Sequence, residues 1–430
     1  MLTINYSKQS VLYSIKPEKI GTPYVESLTS YISRLAIEHC VSTGDLISKL
    51  VTPIIGKKYL SNISKKGGDG FYKSTSGING IGQLAEEFTN LLSNLTLRSD
   101  LEDTTLLTWN TVFPTRGLSK NRKHWCPCCF QESLENNKPI YEQLIWCIQP
   151  YQNCLIHKIK LENKCPTCTS DMYFLDRKAR PGFCSKCGNW LGMNLISNIS
   201  DELYREQFIA HMLAYNHKKK NLKLERHKIS ESLNFYLGRN FEGKLSTAAE
   251  KLGFPKTTFR CWINGENIPP IDSIIQICRC LNLSITEFLS KEEACYKAEY
   301  LDYRKCSKNK RLKKDHLLIQ KLLEKVINEK IPMTISGLAK ICDCDRRLIS
   351  RQYPKQCEVI KGIYSEFLIS GKRKRTKLMK KKMEEAFSML IKYDLYPSRR
   401  KVESLLNDKY LVKEEKVSKF WKELKEKYYI

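Results

Sequence analysis

Between Cys126 and Cys187 the chain offers four pairs of soft ligands, each pair separated by two residues: Cys126 and Cys129, Cys154 and His157, Cys165 and Cys168, Cys184 and Cys187. Two intervening residues let one tight turn aim both side chains at a single ion, and two such turns complete a tetrahedron. One pair says little. Four in succession dictate how this stretch can fold. Taken in chain order, Cys126, Cys129, Cys154 and His157 hold one ion, and Cys165, Cys168, Cys184 and Cys187 hold a second. The sequential sorting is the natural one; interleaved ligation is also compatible with the sequence, and Cys128 is a poorer-spaced substitute for Cys126 or Cys129. Four protein ligands per ion leave no position for water or substrate, so the expectation is two structural Zn2+ ions and no catalytic metal. Free or disulfide-linked cysteines are the alternative, and the regular spacing disfavours them.

The chain has 430 residues, enough for roughly two to four domains with their own cores. Met1 to Ser10 are polar, without the apolar centre of a signal peptide, and no apolar run is long enough to span a membrane. The expected location is cytoplasmic, and nucleoid-associated when the protein is bound. In a reducing compartment 18 cysteines point to metal rather than disulfides. Cys40, Cys261, Cys278 and Cys342 fall in apolar helical patterns and are expected as small buried hydrophobes. A formal net charge of +27 calls for a polyanionic partner, with nucleic acid first and an acidic membrane second. No basic segment with an exposed Trp/Phe/Leu face supports the membrane.

In the N-terminal part Leu28, Tyr31, Ile32 and Leu35 recur at helical spacing. Ser42 is placed to cap a second helix carrying Leu46, Ile47 and Leu50. The pair reads as a helix-turn-helix unit or as a plain helical hairpin. Residues 56–82 are rich in Gly, Lys and Ser, with a turn at Gly67-Gly68-Asp69-Gly70. A helix with Leu84, Phe88, Leu91 and Leu92 follows. Between the ligand pairs, Trp146 to Tyr151 reads as a short strand.

These segments carry a resemblance. Pro23, Glu26, Ser27 and Leu28, followed by Arg34-Leu35-Ala36, look like the start of a TniQ domain. Trp125-Cys126-Pro127-x-Cys129, Trp146, Cys154-x-x-His157 and Cys165-Pro166-x-Cys168 resemble that domain in order and content. A Trp often follows the Ser-Leu in that family, and here Tyr31 stands near its place. The likeness covers roughly residues 17–190, with weaker matches beyond. TniQ/TnsD-type proteins select target sites for multi-component bacterial transposons. The resemblance implies docking of an AAA+ ATPase that recruits a transposase.

From about Asp201 helical periodicity with Lys and Arg takes over. Within residues 244–290, Ala249 is small where two helices would cross, Gly253 suits the turn, and Phe259 and Trp262 would hold the second helix down. The pattern resembles the five-helix domains of phage repressors, whose second helix enters the major groove. Lys256, Thr257, Thr258 and Arg260 would then meet base edges. A basic linker, Arg304 to Lys314, follows. A second unit is expected at residues 331–354, with Ala339 and Ile349 at packing positions and Asp343 where the first unit has Gly253. Asp tolerates the left-handed conformation that such a turn needs. Arg346, Arg347, Ser350 and Arg351 would face DNA. Gly371 to Lys382 is the most basic run. After it come Met383, Phe387, Leu390 and Ile391 on one helical face, then Pro397 and Ser398 as the start of a helix that presents Arg399, Arg400 and Lys401. Phe420, Trp421 and Leu424 belong to a final helix. Phrases around Tyr353-Pro354 and Tyr396-Pro397 also resemble C-terminal repeats of long TniQ/TnsD proteins.

Other chemistry finds no support. Gly238 to Leu245 nearly spells a phosphate-binding loop, but Leu245 replaces the Ser or Thr that would hold magnesium, and no strand precedes it. No His-Glu-x-x-His helix, Gly-x-Ser-x-Gly elbow or spaced carboxylate cluster is present, so no enzymatic activity is expected. The expected fold class is mainly α and multidomain, with small zinc-ribbon or zinc-knuckle β elements and helix-turn-helix units flanking a double zinc module. The expected domains are 17–120 (N-terminal helical part of the TniQ domain), 121–200 (double zinc module), 201–300 (repressor-like helix-turn-helix domain), 315–370 (second helix-turn-helix) and 371–430 (basic arm and third helix-turn-helix). The expected function is a sequence-specific target selector that binds double-stranded DNA at an attachment site and recruits the ATPase and transposase. A guide-RNA-directed adaptor coupled to a CRISPR effector complex and a zinc-containing transcription regulator are the alternatives.

Overall fold

The computed structural model describes residues 9–56, 71–196, 203–218, 225–297, 299, 316–406 and 415–428. The chain is mainly helical, and contacts divide it into two units, Met1–Cys306 and Ser307–Ile430. Among the described residues, extended pairing is limited to isolated antiparallel bridges such as Trp125 with Glu162 and Asn153 with Lys160. No described helix is long and apolar enough to cross a membrane.

The first unit opens with α1 (Leu28–Glu38), whose buried stripe is Leu28, Tyr31, Ile32 and Leu35. Ser27 caps it by accepting from Ser30 N, and Cys40 turns the chain at a left-handed φ of 53°. Ser42 then caps α2 (Thr43–Leu46), its hydroxyl accepting from Asp45 N at 3.0 Å. A π turn, Ile47–Val51, joins α2 to α3 (Thr52–Ile55), which stops at Gly56 with φ +69°. The amphipathic α4 (Gln83–Thr96) adds Phe88 and Leu92 to the same core. Gly67 to Gly70 lie outside the described residues.

The expected strand at Trp146 to Tyr151 is instead a 3-10 turn, Leu144–Cys147, followed by a single bridge between Ile148 and Ser119. Among the described residues, only the short segment 118–120 runs beside it, through Gln149 N to Leu118 O and Lys120 N to Cys147 O, both at 2.8 Å. That is too little backbone for a ladder, while the turn still drives Trp146 and Ile148 fully inward.

Beyond the ligand pairs, α6 (Tyr204–Lys218) is followed by α7 (His227–Phe241), α8 (Leu245–Lys251), α9 (Lys256–Ile263), α10 (Ile271–Leu281) and α11 (Ile285–Ser290). Ala248 and Ala249 of α8 are small enough to let α9 pack close, and Phe259 and Trp262 anchor α9. Gly253 takes φ +78° in the connecting turn. One apolar cluster runs from Val25 through the ligand-bearing region to Phe288. α6 joins its parts: Glu206 accepts from the backbone of Gln152 and Asn153, and Tyr204 donates to Leu283 O. Gly238 to Leu245 form the end of α7 and a turn, with no strand before them.

The second unit contains α12 (His316–Asn328), α13 (Ile335–Ile341), α14 (Arg346–Gln352), the long α15 (Pro354–Lys392), α16 (Arg399–Leu405) and α17 (Glu415–Lys427). Asp343 sits between α13 and α14 at φ 44°, in the left-handed region. Ser398 caps α16 by accepting from Lys401 N at 3.4 Å. The basic run Gly371 to Lys382 is not an irregular arm. It is interior to α15, since Lys and Arg are good helix formers and no proline interrupts residues 355–396. Arg304 to Lys314 lie outside the described residues. Of the four cysteines expected in the core, Cys278 is buried and Cys261 and Cys342 are half-buried, while Cys40 is exposed because it occupies the turn after α1.

Candidate metal centres and basic helices

Three of the four ligand pairs are built alike. Cys154 N donates to Ile159 O, and Lys158 N to Cys154 O. Cys165 pairs in the same way with Ser170 and Thr169, and Cys184 with Asn189 and Gly188. The fourth residue after each leading cysteine lies at positive φ: Lys158 at 49°, Thr169 at 56° and Gly188 at 80°. This left-handed residue folds the turn back so that both ligands point the same way. The remaining pair differs. Cys126 is the N-cap of α5 (Pro127–Glu135), Pro127 occupies the first helical position, and Cys129 lies one turn in, its N–H aimed at Cys126 Sγ at 3.4 Å.

The eight residues gather into two groups, Cys126, Cys129, Cys154 and His157, and Cys165, Cys168, Cys184 and Cys187. In the first, Cys129 Sγ is 3.7 Å from Cys154 Sγ, and His157 Nδ1 is 3.5, 3.3 and 3.7 Å from Cys126, Cys129 and Cys154. In the second, Cys165 to Cys187 and Cys168 to Cys184 are each 3.7 Å. A tetrahedral ion with bonds of about 2.3 Å to sulfur and 2.0–2.1 Å to nitrogen demands edges of about 3.6–3.8 Å. Both donor sets therefore fit a tetrahedral, thiolate-preferring metal ion, and the sequential sorting is the one adopted. Hydrogen bonds from Cys126 and Cys129 hold Cys154 well below the ordinary thiol range, while Cys126 and Cys129 are themselves raised, as expected where three thiols share one charge.

Cys128 takes no part. Its sulfur accepts from Leu195 N at 3.2 Å and faces away from the tetrad. Glu132, one helical turn beyond Cys128, places Oε2 3.4 Å from His157 Nε2, leaving Nδ1 to the cysteines. Such a carboxylate behind a ligating imidazole fixes its orientation and tautomer. Phe130 and Trp146 meet edge to face at 5.5 Å in the core beside the first centre. Behind the second, a Cβ at Gly182 would lie 2.4 Å from the Trp190 ring, and φ there is +78°.

Four buried ionisable side chains brace this region. Lys123 and Glu142 pair at 2.7 Å with almost no exposure. Glu26, fully buried at the foot of α1, pairs with Arg34 and accepts from Ser30 Oγ at 2.7 Å. Burial nevertheless pushes its carboxyl up to about 7. Lys120 donates to Tyr151 O, and burial lowers its amine to about 7. Glu26 and Arg34 stood in the sequence only as part of the motif at the start of the TniQ-like segment, without a hint of burial, and Lys120, Lys123 and Glu142 left no signature, because a lone charged residue reads as surface. Glu132 had a weak one, one helical turn past the ligand Cys129.

The expected DNA-contacting residues lie on three helices. Lys256, Thr257, Thr258 and Arg260 are exposed on α9. Arg346, Arg347, Ser350 and Arg351 are exposed on α14, whose N-cap Asp345 accepts from Arg347 N at 2.6 Å. On α16, Arg400 and Lys401 are exposed, while Arg399 pairs with Glu403 at 3.0 Å.

The fold and its two ligand tetrads define a helical protein with paired Cys/His metal centres. The TniQ family model matches residues 17–161, so the chain carries a TniQ domain over its N-terminal third. The first centre lies inside the match and the second directly follows it. This domain ties the chain to target selection in transposition. No curated protein matches the chain.

Proposed function

We propose that the protein selects a transposon insertion site by binding double-stranded DNA directly, and that its TniQ domain recruits an AAA+ ATPase and through it a transposase. The observation that carries this reading is the joining of a TniQ domain to helix pairs whose second members, α9, α14 and α16, present basic or hydroxyl side chains to solvent. α8 and α9, with a glycine turn between them, have the order of a helix-turn-helix, and α13 and α14 repeat it with Asp343 in the turn. The net charge of +27 supplies the nonspecific attraction to phosphate that such readers need.

Both metal centres are assigned to Zn2+ in a structural role. Every position around each ion is filled by protein, so the ions fasten the domain and take no part in strand chemistry. In this reading the protein marks DNA and leaves cleavage to the transposase.

Footprinting of the purified full chain on genomic fragments flanking its own gene tests the reading. A discrete protected segment that survives excess competitor DNA is the expected result. Protection that appears only when a guide-RNA effector complex is added would replace direct reading with an adaptor role. Magnesium-dependent nicking of plasmid, abolished by a single Asp or Glu substitution, would make the protein an enzyme.

A further inference from the structure

The long helix α15 belongs to both small cores of the second unit. Near its start Cys357 and Ile360 complete the core made with Ile319, Leu323, Leu338 and Ile349. Near its end Met383, Phe387 and Leu390 complete the core made with Val402 and Leu424. Between Ile360 and Met383 no residue of the helix is buried. The helix is continuous over 39 residues. A rise of 1.5 Å per residue therefore sets the two cores about 35 Å apart. One turn of duplex DNA measures about 34–36 Å.

The exposed span is also the most basic part of the chain, with Lys372, Arg373, Lys374, Arg375, Lys377, Lys380, Lys381 and Lys382. At about 100° per residue these cations surround the axis rather than share one face. Arg373, Lys377 and Lys381 stack four residues apart, an arrangement that destabilises an isolated helix. Lys381 also meets Glu385 at 3.9 Å, but both side chains are largely exposed and the pair contributes little. A polyanion alongside would relieve the repulsion, and a duplex offers a phosphate about every 1.7 Å of its axis.

We propose that α15 is a rigid spacer that holds two DNA-contacting modules, one bearing α14 and the other α16, about one duplex turn apart, with its basic middle against the phosphates between them. The proposal rests on the DNA-binding reading above and adds a fixed distance to it. A flexible tether would let the modules find blocks at many separations, whereas a continuous helix admits a narrow range.

The test uses the full chain. Sites are selected from randomised duplex, and the blocks are assigned by which one loses selection in Arg346→Ala/Arg347→Ala and in Arg400→Ala/Lys401→Ala. Five or ten base pairs are then inserted between the assigned blocks. Five turn one block to the opposite face, and ten carry it a full turn out of reach. Each insertion is expected to reduce affinity on the order of a hundredfold, to the level of a site with one block scrambled. A second chain, with residues 362–371 replaced by an equal length of Gly and Ser, is expected to bind sites lengthened or shortened by one or two base pairs as well as the parent spacing, which the parent does not. Undiminished binding after the ten-base-pair insertion, a single block that answers to one pair of variants only, or an equally narrow spacing preference in the Gly-Ser chain would each overturn the spacer. Selection of no sequence at all would overturn the DNA reading itself.

Discussion

The hydroxyl of Thr43 donates to the carbonyl oxygen of Ala179 at 2.9 Å, joining residues 136 positions apart. Beside it Gly44 N donates to Arg177 O at 2.9 Å, and Leu175 N donates to the Thr75 hydroxyl at 3.2 Å. The loop between Cys168 and Cys184 is thus stitched to the N-terminal helices, and Leu175 is buried in their core. The second metal centre closes that loop, so its integrity should be felt at α1.

Cys165→Ser is accordingly expected to lose one of two bound metal ions and to loosen the helices around α1, because metal binding and local folding are coupled. Metal content by mass spectrometry should fall from two ions per chain to one, and amide exchange at residues 28–36 should accelerate. Unchanged metal content and melting would contradict the ligand assignment.

Removing Arg34 should be severe, although the residue looks like an ordinary helix charge. Glu26 has no exposure, and Arg34→Ala leaves its carboxyl buried without a cation. The expected loss is about 3–5 kcal/mol above pH 8, where the carboxyl would have to be ionised, and much less at pH 5, where it is protonated, read by denaturant unfolding at both. Arg34→Ala/Glu26→Gln should recover part of it. The pH dependence has a definite sign. The folded carboxyl titrates near 7, above its ordinary value, so the native state holds the proton more tightly than the unfolded chain. Its contribution is present in full at acid pH and is lost as pH rises toward 7.

Lys120 should act in the opposite sense. Its folded amine titrates near 7, below the ordinary lysine value. The unfolded chain therefore binds the extra proton, and this residue makes stability rise with pH above about 7. In Lys120→Met that rise should disappear. The variant should compare more favourably with the parent at pH 6 than at pH 9, measured by urea unfolding at both.

On α9, Arg260 is exposed one turn from the N-terminus, on the side away from the buried Phe259 and Trp262. Arg260→Ala should relax base preference at one position of the selected site and weaken binding there by about 1–3 kcal/mol. An equal loss on every sequence would make it a phosphate contact instead.

Ligand spacing and helical periodicity were legible in the sequence because each is a local rule. Cys154-x-x-His157 needs only its own turn to aim two ligands, and Leu28, Tyr31, Ile32 and Leu35 need only a period of 3.6. The failures share one cause, dependence on distant residues. Trp146 to Tyr151 has the composition of a strand but lacks a partner long enough to pair with. Cys40 sits in an apolar pattern, yet the chain must reverse there, and the turn exposes it. Gly371 to Lys382 resembles an arm by charge, and its helix-forming residues are held in one continuous helix between the cores at both ends of α15. The attachment of Leu175 to the N-terminal core crosses a hundred residues, and neither partner carries a mark of it.

The turns of the two helix pairs offer a matched test of backbone geometry. Gly253 and Asp343 occupy equivalent places, after α8 and α13, at φ +78° and +44°. A left-handed conformation is free for Gly but costs an ordinary L-residue about 1–2 kcal/mol, less for Asp or Asn. Gly253→Ala should therefore destabilise the first unit by about 1–2 kcal/mol, while Asp343→Gly should be neutral or stabilise the second by up to about 1 kcal/mol. Because the substitutions fall in different units, two-colour unfolding with separate probes should show each change in its own transition. A destabilising Asp343→Gly would mean that the Asp343 side chain, which has contacts of its own, holds the turn by more than its backbone conformation. The same variants bear on DNA binding. Both turns set the angle at which α9 and α14 leave the helix before them, so Gly253→Ala should lower affinity for the selected site at temperatures where the unit is still folded, and Asp343→Gly should leave it unchanged.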